Sequence, residues 1–520
     1  MNNRETELNI PPFPLGYRSS GLLLHATSLP SPYGIGDVGP GSFAWIDRLH
    51  EAGQGWWQAL PLGPTGSCNS PYSSLSSFAA NGLLISPEFL IEDGLLEEDE
   101  CKGSFSPLSI DYDVVIPFKH RLLTLAWRRF RAGARKDLIP AFDEFCHGRA
   151  AWLEDYALYR ALKAKFRSAS YLEWPPELVR REPSALDRAR RDLASEIDQV
   201  RLAQFLLNRQ SRRLKEHSRA KGIRLIGDLP FFASLDSSDV WANPELFLLD
   251  EHLRPRCVAG VPPDYFSATG QLWGNPVYDW EAHRSTGYRW CLDRIGALLA
   301  HVDVIRLDHF RGFAAAWQVP AGAPTAETGE WVPGPGAEFF KAVSSRFGNL
   351  PFIAEDLGVI TPDVTQLRDE FRIPGTRVLQ FAFDGDTRNV HLPKNYSNNT
   401  AVYTGTHDNS TTREWVENLP ERDRQYLWNF VGRRRGDTCD AAPELISLAW
   451  SSRAALAIAP LQDVLNLGRE GRMNIPGVAK GNWRWRATRH MFSQRNFQWL
   501  KDLTQISSRS APVASMEVAS

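Results

Sequence analysis

Four short apolar runs in this chain end in carboxylates. IRLIGDL (223–229) carries Asp228, VDVIRLD (302–308) leads into Arg306-Leu307-Asp308-His309, PFIAEDL (351–357) carries Glu355-Asp356, and AVYTGTH (401–407) leads into His407-Asp408-Asn409. Like charges crowded into one cleft cannot all ionise cheaply, so one stays charged while another keeps its proton. Glycoside chemistry needs that pairing, because an oxocarbenium-like transition state wants a negative charge beside it and a proton for the leaving oxygen. Arg306 lies two residues before Asp308, on the same face of a strand, where a charge-assisted bond would hold Asp308 ionised. Glu355 has Phe352 and Ile353 behind it, and partial burial would raise its pKa.

Other readings compete. Asp or Asn after a strand is frequently the N-cap of the next helix. That reading leads for Asp356 and Asn409. For Asp308 taken alone, a cap or an ordinary ion pair with Arg306 stands level with the catalytic reading. Caps become a poor account of Asp308, Glu355 and Asp408 together, since all three fall at strand ends. Asp308 and His309 are adjacent and point to opposite faces, which argues against a metal pair.

The elements that must position these groups are short and apolar. Beside the four above stand SGLLLHATSL (20–29), GWWQAL (55–60), TRVLQFAF (376–383) and LAIAPLQDV (456–464), with amphipathic stretches between many of them. Continuous apolar strands alternating with helices predict a parallel sheet covered on both faces. The expected fold is α/β, a (β/α)8 TIM barrel with a large, mostly helical insertion and a loop-rich lid insertion, its active site at the C-terminal strand ends. The predicted organisation is a flexible arm at 1–14, the barrel start at 15–84 with two strands and an active-site loop, and a helical subdomain at 85–219. The third strand follows at 220–232, a lid or substrate-binding insertion at 233–290, the remaining strands at 291–506 and a flexible tail at 507–520. Within the helical part, Trp152, Tyr156, Tyr159 and Leu162 share one face, and a second amphipathic helix over 200–222 is ended by Gly222. The Arg-rich run 180–192 reads as a solvated helix face.

Aromatic and amide side chains fill the loops. GVPPDYFSATGQLWGNPVYDW (260–280) holds Tyr265, Phe266, Gln271, Trp273 and Asn275, and SCNSPYSSLSSFAANG (67–82) holds Tyr72. Aromatic faces bind the C–H faces of pyranose rings while amides take hydroxyls; each of these aromatics, taken singly, reads equally as loop packing. GIGDVGPG (34–41) fits no phosphate-binding pattern.

Over 520 residues, Lys+Arg total 59 against Asp+Glu 61, a net charge of −2 that argues against a dedicated nucleic-acid binder. No apolar run is long enough to span a membrane, and MNNRETELNI lacks the apolar core of a secretory signal. The six cysteines have neither metal nor redox spacing and read as reduced thiols of a cytosolic protein.

The motifs SGLLLHATSLPSPYGIGDVG, SPYSSLSSFAANGLLISPE, GDLPFFASLDSSDVWANPELF, GVPPDYFSATGQLWGNPVYDW, VIRLDHFRGF, IAEDLGVITPDV, YTGTHDNSTTREW and NIPG form a collinear set covering most of residues 18–500. Together they resemble the 4-α-glucanotransferases, the amylomaltases or disproportionating enzymes of glycoside hydrolase family 77. The resemblance implies retaining transfer between α-1,4-glucans, with Asp308 as nucleophile, Glu355 as general acid/base and Asp408 as transition-state stabiliser. By the same matching, Arg306 and His407 contact the nucleophile and the donor sugar. Tyr72, Asp228, Asp264, Gln271, Trp273 and Asn474 line the cleft, and Tyr265 and Phe266 belong to a lid on the acceptor side. The implied partners are maltooligosaccharides, starch or glycogen, with glucose or maltose as acceptor, and neither nucleic acid nor membrane. No cofactor or metal is implied. Ala268 departs from an acidic residue found in some members. An amylase-type hydrolase is the alternative within enzymes; an inactive glucan-binding protein would be expected to lack one of the three carboxylates, and a metal-dependent hydrolase needs clustered histidines. The N-terminal arm lacks a Ser/Arg-rich transit character, which favours cytosol over plastid.

Overall fold

The structure, a computed structural model, describes residues 16–66, 68–263 and 267–510. The predicted arm at 1–14, the lid residues Asp264, Tyr265 and Phe266, and the tail beyond 510 lie outside the described residues. In chain order the strands are β1 (Ser19–Leu23), β2 (Trp56–Gln58), β3 (Arg224–Leu229), β4 (Cys257–Val261), β5 (Gln271–Pro276), β6 (Val304–Leu307), β7 (Ala315–Pro320), β8 (Glu330–Pro333), β9 (Phe352–Ala354), β10 (Gly375–Val378), β11 (Thr400–Tyr403) and β12 (Leu456–Pro460).

Eight of them close a parallel barrel in the order β1-β12-β11-β10-β9-β6-β3-β2. Each coincides with one of the eight apolar runs. The runs lack polar alternation because every residue of β1, β6, β11 and β12 is buried, the signature of strands covered on both faces. Gly21 in β1 answers a packing demand: a Cβ there would lie 2.5 Å from Cβ of Trp56 in the neighbouring β2. Tyr403 Oη donates to Gln58 Oε1 at 2.8 Å, tying β11 to the non-adjacent β2.

The register matters for function. Asp228 in β3 lies beside Arg306 in β6, and Arg306 beside Ile353 in β9. The ladder runs past the strand ends, with Asp308 N donating to Leu229 O and Glu355 N to Leu307 O, both at 3.1 Å. Asp228, Arg306, Asp308 and Glu355 are therefore stacked at one mouth by backbone pairing alone.

The segment 85–219 is helical as expected, with long helices at Tyr112–Arg131, Ile139–Lys165 and Ala194–Ala220. Tyr156, Tyr159 and Leu162 are buried together, as the spacing predicts, while Trp152 is only partly covered. Gly222 takes the left-handed conformation (φ 69°) that ends the last helix.

Two expectations need correction. The 233–290 segment is not merely loop: β4 and β5 belong to a four-stranded antiparallel sheet, β5-β4-β7-β8, whose other half comes from residues after β6. Its strands escape pattern reading because β5 is an edge strand with both faces open, Gln271 to Gly274 all being exposed, so no alternation marks it. The start of the C-terminal segment is not a free tail. Arg509 is fully buried and donates to Ser19 O at 2.8 Å, Trp450 O at 2.6 Å, Ser452 O at 2.9 Å and Ala454 O at 2.8 Å. It pins the seam where β1 meets β12, a role no local sequence pattern announces. Among the described residues no helix is long and apolar enough to cross a membrane.

Candidate active site

Over the C-terminal strand ends opens a cleft of about 2610 Å³. Tyr72, Gln271, Trp273, Arg306, Asp308, Glu355, Asp408 and Asn474, all expected from the sequence, line it. Asp228 and His407 do not. The Asp228 side chain is fully buried beneath the floor, so the expectation that it lines the cleft is corrected: the register that pairs β3 with β6 turns it onto Arg306. His407 is likewise buried, its ring stacked on Tyr72 with centroids 5.0 Å apart and planes at 13°.

One guanidinium organises the floor. Arg306 Nη1 donates to both oxygens of Asp228, each at 2.9 Å, and to Asp308 Oδ1 at 3.0 Å. Tyr72 Oη donates to Asp228 Oδ2 at 2.7 Å; burial first, then the Asp228 charge, keeps that phenol protonated. Glu355 has no guanidinium bonded to it. Its Oε2 accepts from the His309 backbone N–H at 2.8 Å, and its carbonyl accepts from Phe310 N at 3.0 Å. Burial pushes both carboxyls up, Glu355 to about 8 and Asp308 to about 7, with Arg306 the strongest opposing influence on each. Asp308 alone shares the Arg306 guanidinium by a direct bond, which favours its ionisation over that of Glu355.

Asp408 stands on a different support. Its Oδ1 accepts from Asn474 Nδ2 at 2.6 Å and lies 3.3 Å from His407 Nε2. Burial holds His407 below its usual pKa. The loop is anchored by buried Asp463, which accepts from Thr404 Oγ1 (2.6 Å), Thr412 N (2.7 Å) and Thr412 Oγ1 (2.7 Å). Asn409 accepts from Thr406 N and Oγ1. It closes the turn and is not the helix cap; Thr411 caps the helix Thr412–Asn418. Asp356 is no cap either: buried, it takes Arg368, Arg377 and the Thr376 N–H.

The antiparallel sheet roofs one side. Trp273 on β5 is 38% exposed, meets the His309 ring edge-on at 4.8 Å, and donates its Nε1–H to Gln271 Oε1 at 3.2 Å. Trp483, 6.1 Å from Tyr72 and 5.8 Å from His407, completes the aromatic wall. Trp483 and Asp463 were missed. Asp463 closes the run LAIAPLQDV in the manner of the other strand-end carboxylates, which was the available signal; Trp483 lies in irregular chain and carried none. Among the described residues no cluster of His, Cys, Asp or Glu has metal-binding geometry.

Comparison with known proteins identifies the family. A family model described as 4-alpha-glucanotransferase matches residues 24–491. The chain is 50% identical over 479 residues to the 4-alpha-glucanotransferase of Synechocystis (91% of this chain, 94% of that one). It is 47% identical over 482 residues to that of Aquifex aeolicus (92% and 97%). The structure of an amylomaltase from Streptococcus agalactiae in complex with acarbose superposes with a TM-score of 0.91 at 34% identity, covering 95% of this chain and all of that one. With the family model spanning nearly the whole barrel and relatives of one activity sharing half its residues, the chain belongs to the 4-alpha-glucanotransferase family.

Proposed function

We propose that the enzyme moves α-1,4-glucan segments by a double displacement in which Asp308 is the nucleophile, Glu355 the acid/base and Asp408 the stabiliser of the transition state. Glu355 gives its proton to the glycosidic oxygen as Asp308 attacks the anomeric carbon. The C–O bond to the leaving glucan breaks, and a glucosyl ester forms on Asp308. Glu355, now a carboxylate, takes the proton of an incoming 4-hydroxyl, whose oxygen displaces Asp308 and restores the α-linkage. Arg306 stabilises the departing carboxylate. The observation that carries this reading is the contrast within one floor: Asp308 shares a buried guanidinium while Glu355 meets a neutral peptide N–H.

The donor is a maltooligosaccharide or a longer glucan, and the acceptor a second glucan, glucose or maltose. The acarbose held by the Streptococcus amylomaltase supports an oligosaccharide in the corresponding cleft. Transfer outruns hydrolysis when acceptor sugar excludes water from the ester; Trp273 and Gln271, which line the cleft, would favour that, with Tyr265 and Phe266 as the proposed lid. The cytosol is the proposed compartment, consistent with free thiols at Cys101, Cys146, Cys257, Cys291 and Cys439.

The test uses two substrates. With maltotriose, the native enzyme should yield glucose and a ladder of longer oligosaccharides without a net gain in reducing ends. Glu355→Gln should lose this reaction yet release fluoride from α-maltosyl fluoride, whose leaving group needs no proton. Asp308→Asn should fail with both. Full activity of Glu355→Gln on maltotriose would overturn the assignment, and rising reducing ends in the native enzyme would favour an amylase-type hydrolase.

A further inference from the structure

His309 follows Asp308; its peptide N–H meets Glu355, but its side chain is used by nothing in the mechanism above. Three features set it apart. Its backbone is left-handed (φ 50°, ψ 50°), a region where a residue with a Cβ is strained. That turn aims its N–H at Glu355 Oε2, 2.8 Å away. Its ring is wedged among Phe231 (6.1 Å), Phe232 (6.2 Å) and Trp273 (4.8 Å), and its Nε2 is buried without a hydrogen-bond partner among the described residues. Burial also keeps the imidazole neutral, its pKa falling to about 3. A histidine held this way contributes ring shape, not charge, and the shape is what over-determines a strained peptide unit.

We propose that His309 is a positioning residue that couples the roof sheet to the acid/base group: Trp273 presses on its ring, the ring fixes the left-handed turn, and the turn holds the N–H on Glu355. This rests on the acid/base reading of Glu355. Trp273 is the exposed end of the chain of contacts and lines the cleft, so a sugar stacked on it bears directly on the residue whose peptide tunes Glu355. The coupling serves the second half of the reaction. A hydrogen bond donated to a carboxyl favours its ionised form, the form of Glu355 that must accept the proton of the incoming hydroxyl. Occupancy of the Trp273 subsite thereby keeps Glu355 ionised, ready to take the proton, when the acceptor, rather than water, is in place.

The test is a pH profile of kcat/KM for maltotriose disproportionation in the full-length enzyme. The charged groups facing Glu355 are Arg306 and Asp308 at the end of β6 and Asp356 from its own strand; Asp228 acts on Arg306 from β3, and Asp408 on Asp308 from the β11 loop. None is altered by the variants. His309→Ala frees the turn, so Glu355 loses its donor, its pKa rises, and the alkaline limb moves up by about one pH unit, a tenfold change in its ionisation. His309→Phe keeps the ring and should restore the native limb. Trp273→Ala should shift the limb in the same direction as His309→Ala. A native limb in folded His309→Ala would overturn the proposal, reducing His309 to packing. A His309→Phe profile matching His309→Ala would also overturn it, placing the function in the ring nitrogen. An unmoved limb in Trp273→Ala would overturn the link to the roof. If Glu355→Gln retained maltotriose activity, the acid/base reading itself would fall, a result separate from all three.

Discussion

Asp228 is joined to Asp308 through a single atom, Nη1 of Arg306, which lies 2.9 Å from both oxygens of the first and 3.0 Å from one oxygen of the second. The two carboxylates have unlike surroundings, since the side chain of Asp228 is sealed and that of Asp308 is 27% exposed to the cleft. Asp228 neutralises the guanidinium from below, so Arg306 steadies Asp308 without locking it as a closed ion pair. Removing Asp228 leaves a buried cation facing the nucleophile alone. Asp228→Ala should cost about 3–5 kcal/mol of folding stability, as breaking a buried pair does. It should also lower kcat far more than it raises KM, because Asp228 lies out of reach of the sugar. Chemical denaturation and steady-state kinetics on maltotriose check both.

The paired carboxyls set the pH dependence. The proposed mechanism needs Asp308 ionised and Glu355 protonated; acid below the Asp308 value of about 7 should quench the proposed nucleophile, and alkali above the Glu355 value of about 8 should remove the proposed acid. The expected kcat/KM profile is a bell whose limbs belong to the pair, not to either residue alone. With α-maltosyl fluoride, Glu355→Gln should keep an acid limb and lose the alkaline one.

Asp463 carries the loop of His407 and Asp408 on three hydrogen bonds. Asp463→Ala should destabilise the fold by about 3 kcal/mol, the scale of losing charged hydrogen bonds and orphaning their buried donors. Transfer and hydrolysis should fall together, since Asp408 serves both. Thermal melting and product analysis on maltotriose read the two effects.

The segment 264–266 is the proposed lid over the acceptor. Replacing Tyr265 and Phe266 with Ala should raise the ratio of hydrolysis to transfer while leaving the α-maltosyl fluoride half-reaction in place. Reducing-end assays run beside oligosaccharide sizing give that ratio, and an unchanged ratio would remove these residues from the lid.

The barrel was legible because its strands are buried on both faces, which writes each one as an uninterrupted apolar run. The three candidate catalytic carboxylates were legible because Asp308 and Glu355 directly follow a barrel strand and Asp408 closely follows another. The roof sheet was not: β5 is open on both faces, and its sheet is assembled from segments on either side of β6. Burial of Asp228 was equally hidden, since it depends on Arg306 arriving beside it from another strand. Asp356 and Asn409 show the limit of local rules. Both follow a strand as a cap would, yet one is consumed by Arg368 and Arg377 and the other by a turn on Thr406.

Closure of the barrel joins distant parts of the chain. β1 pairs in register with β12, and the arginine that seals their seam is 490 residues from its acceptor Ser19. During synthesis at about 5–20 residues per second, β1 waits roughly 25–100 s for the segment that completes its second edge. For that interval a strand edge with unpaired N–H and C=O groups stands open on the nascent chain, the kind of surface that chaperones retain and aggregates recruit. The mouth of this barrel cannot close before β12 has been made, so a chain that stops short of Pro460 should be inactive, and yield in the cell depends on keeping that waiting strand covered.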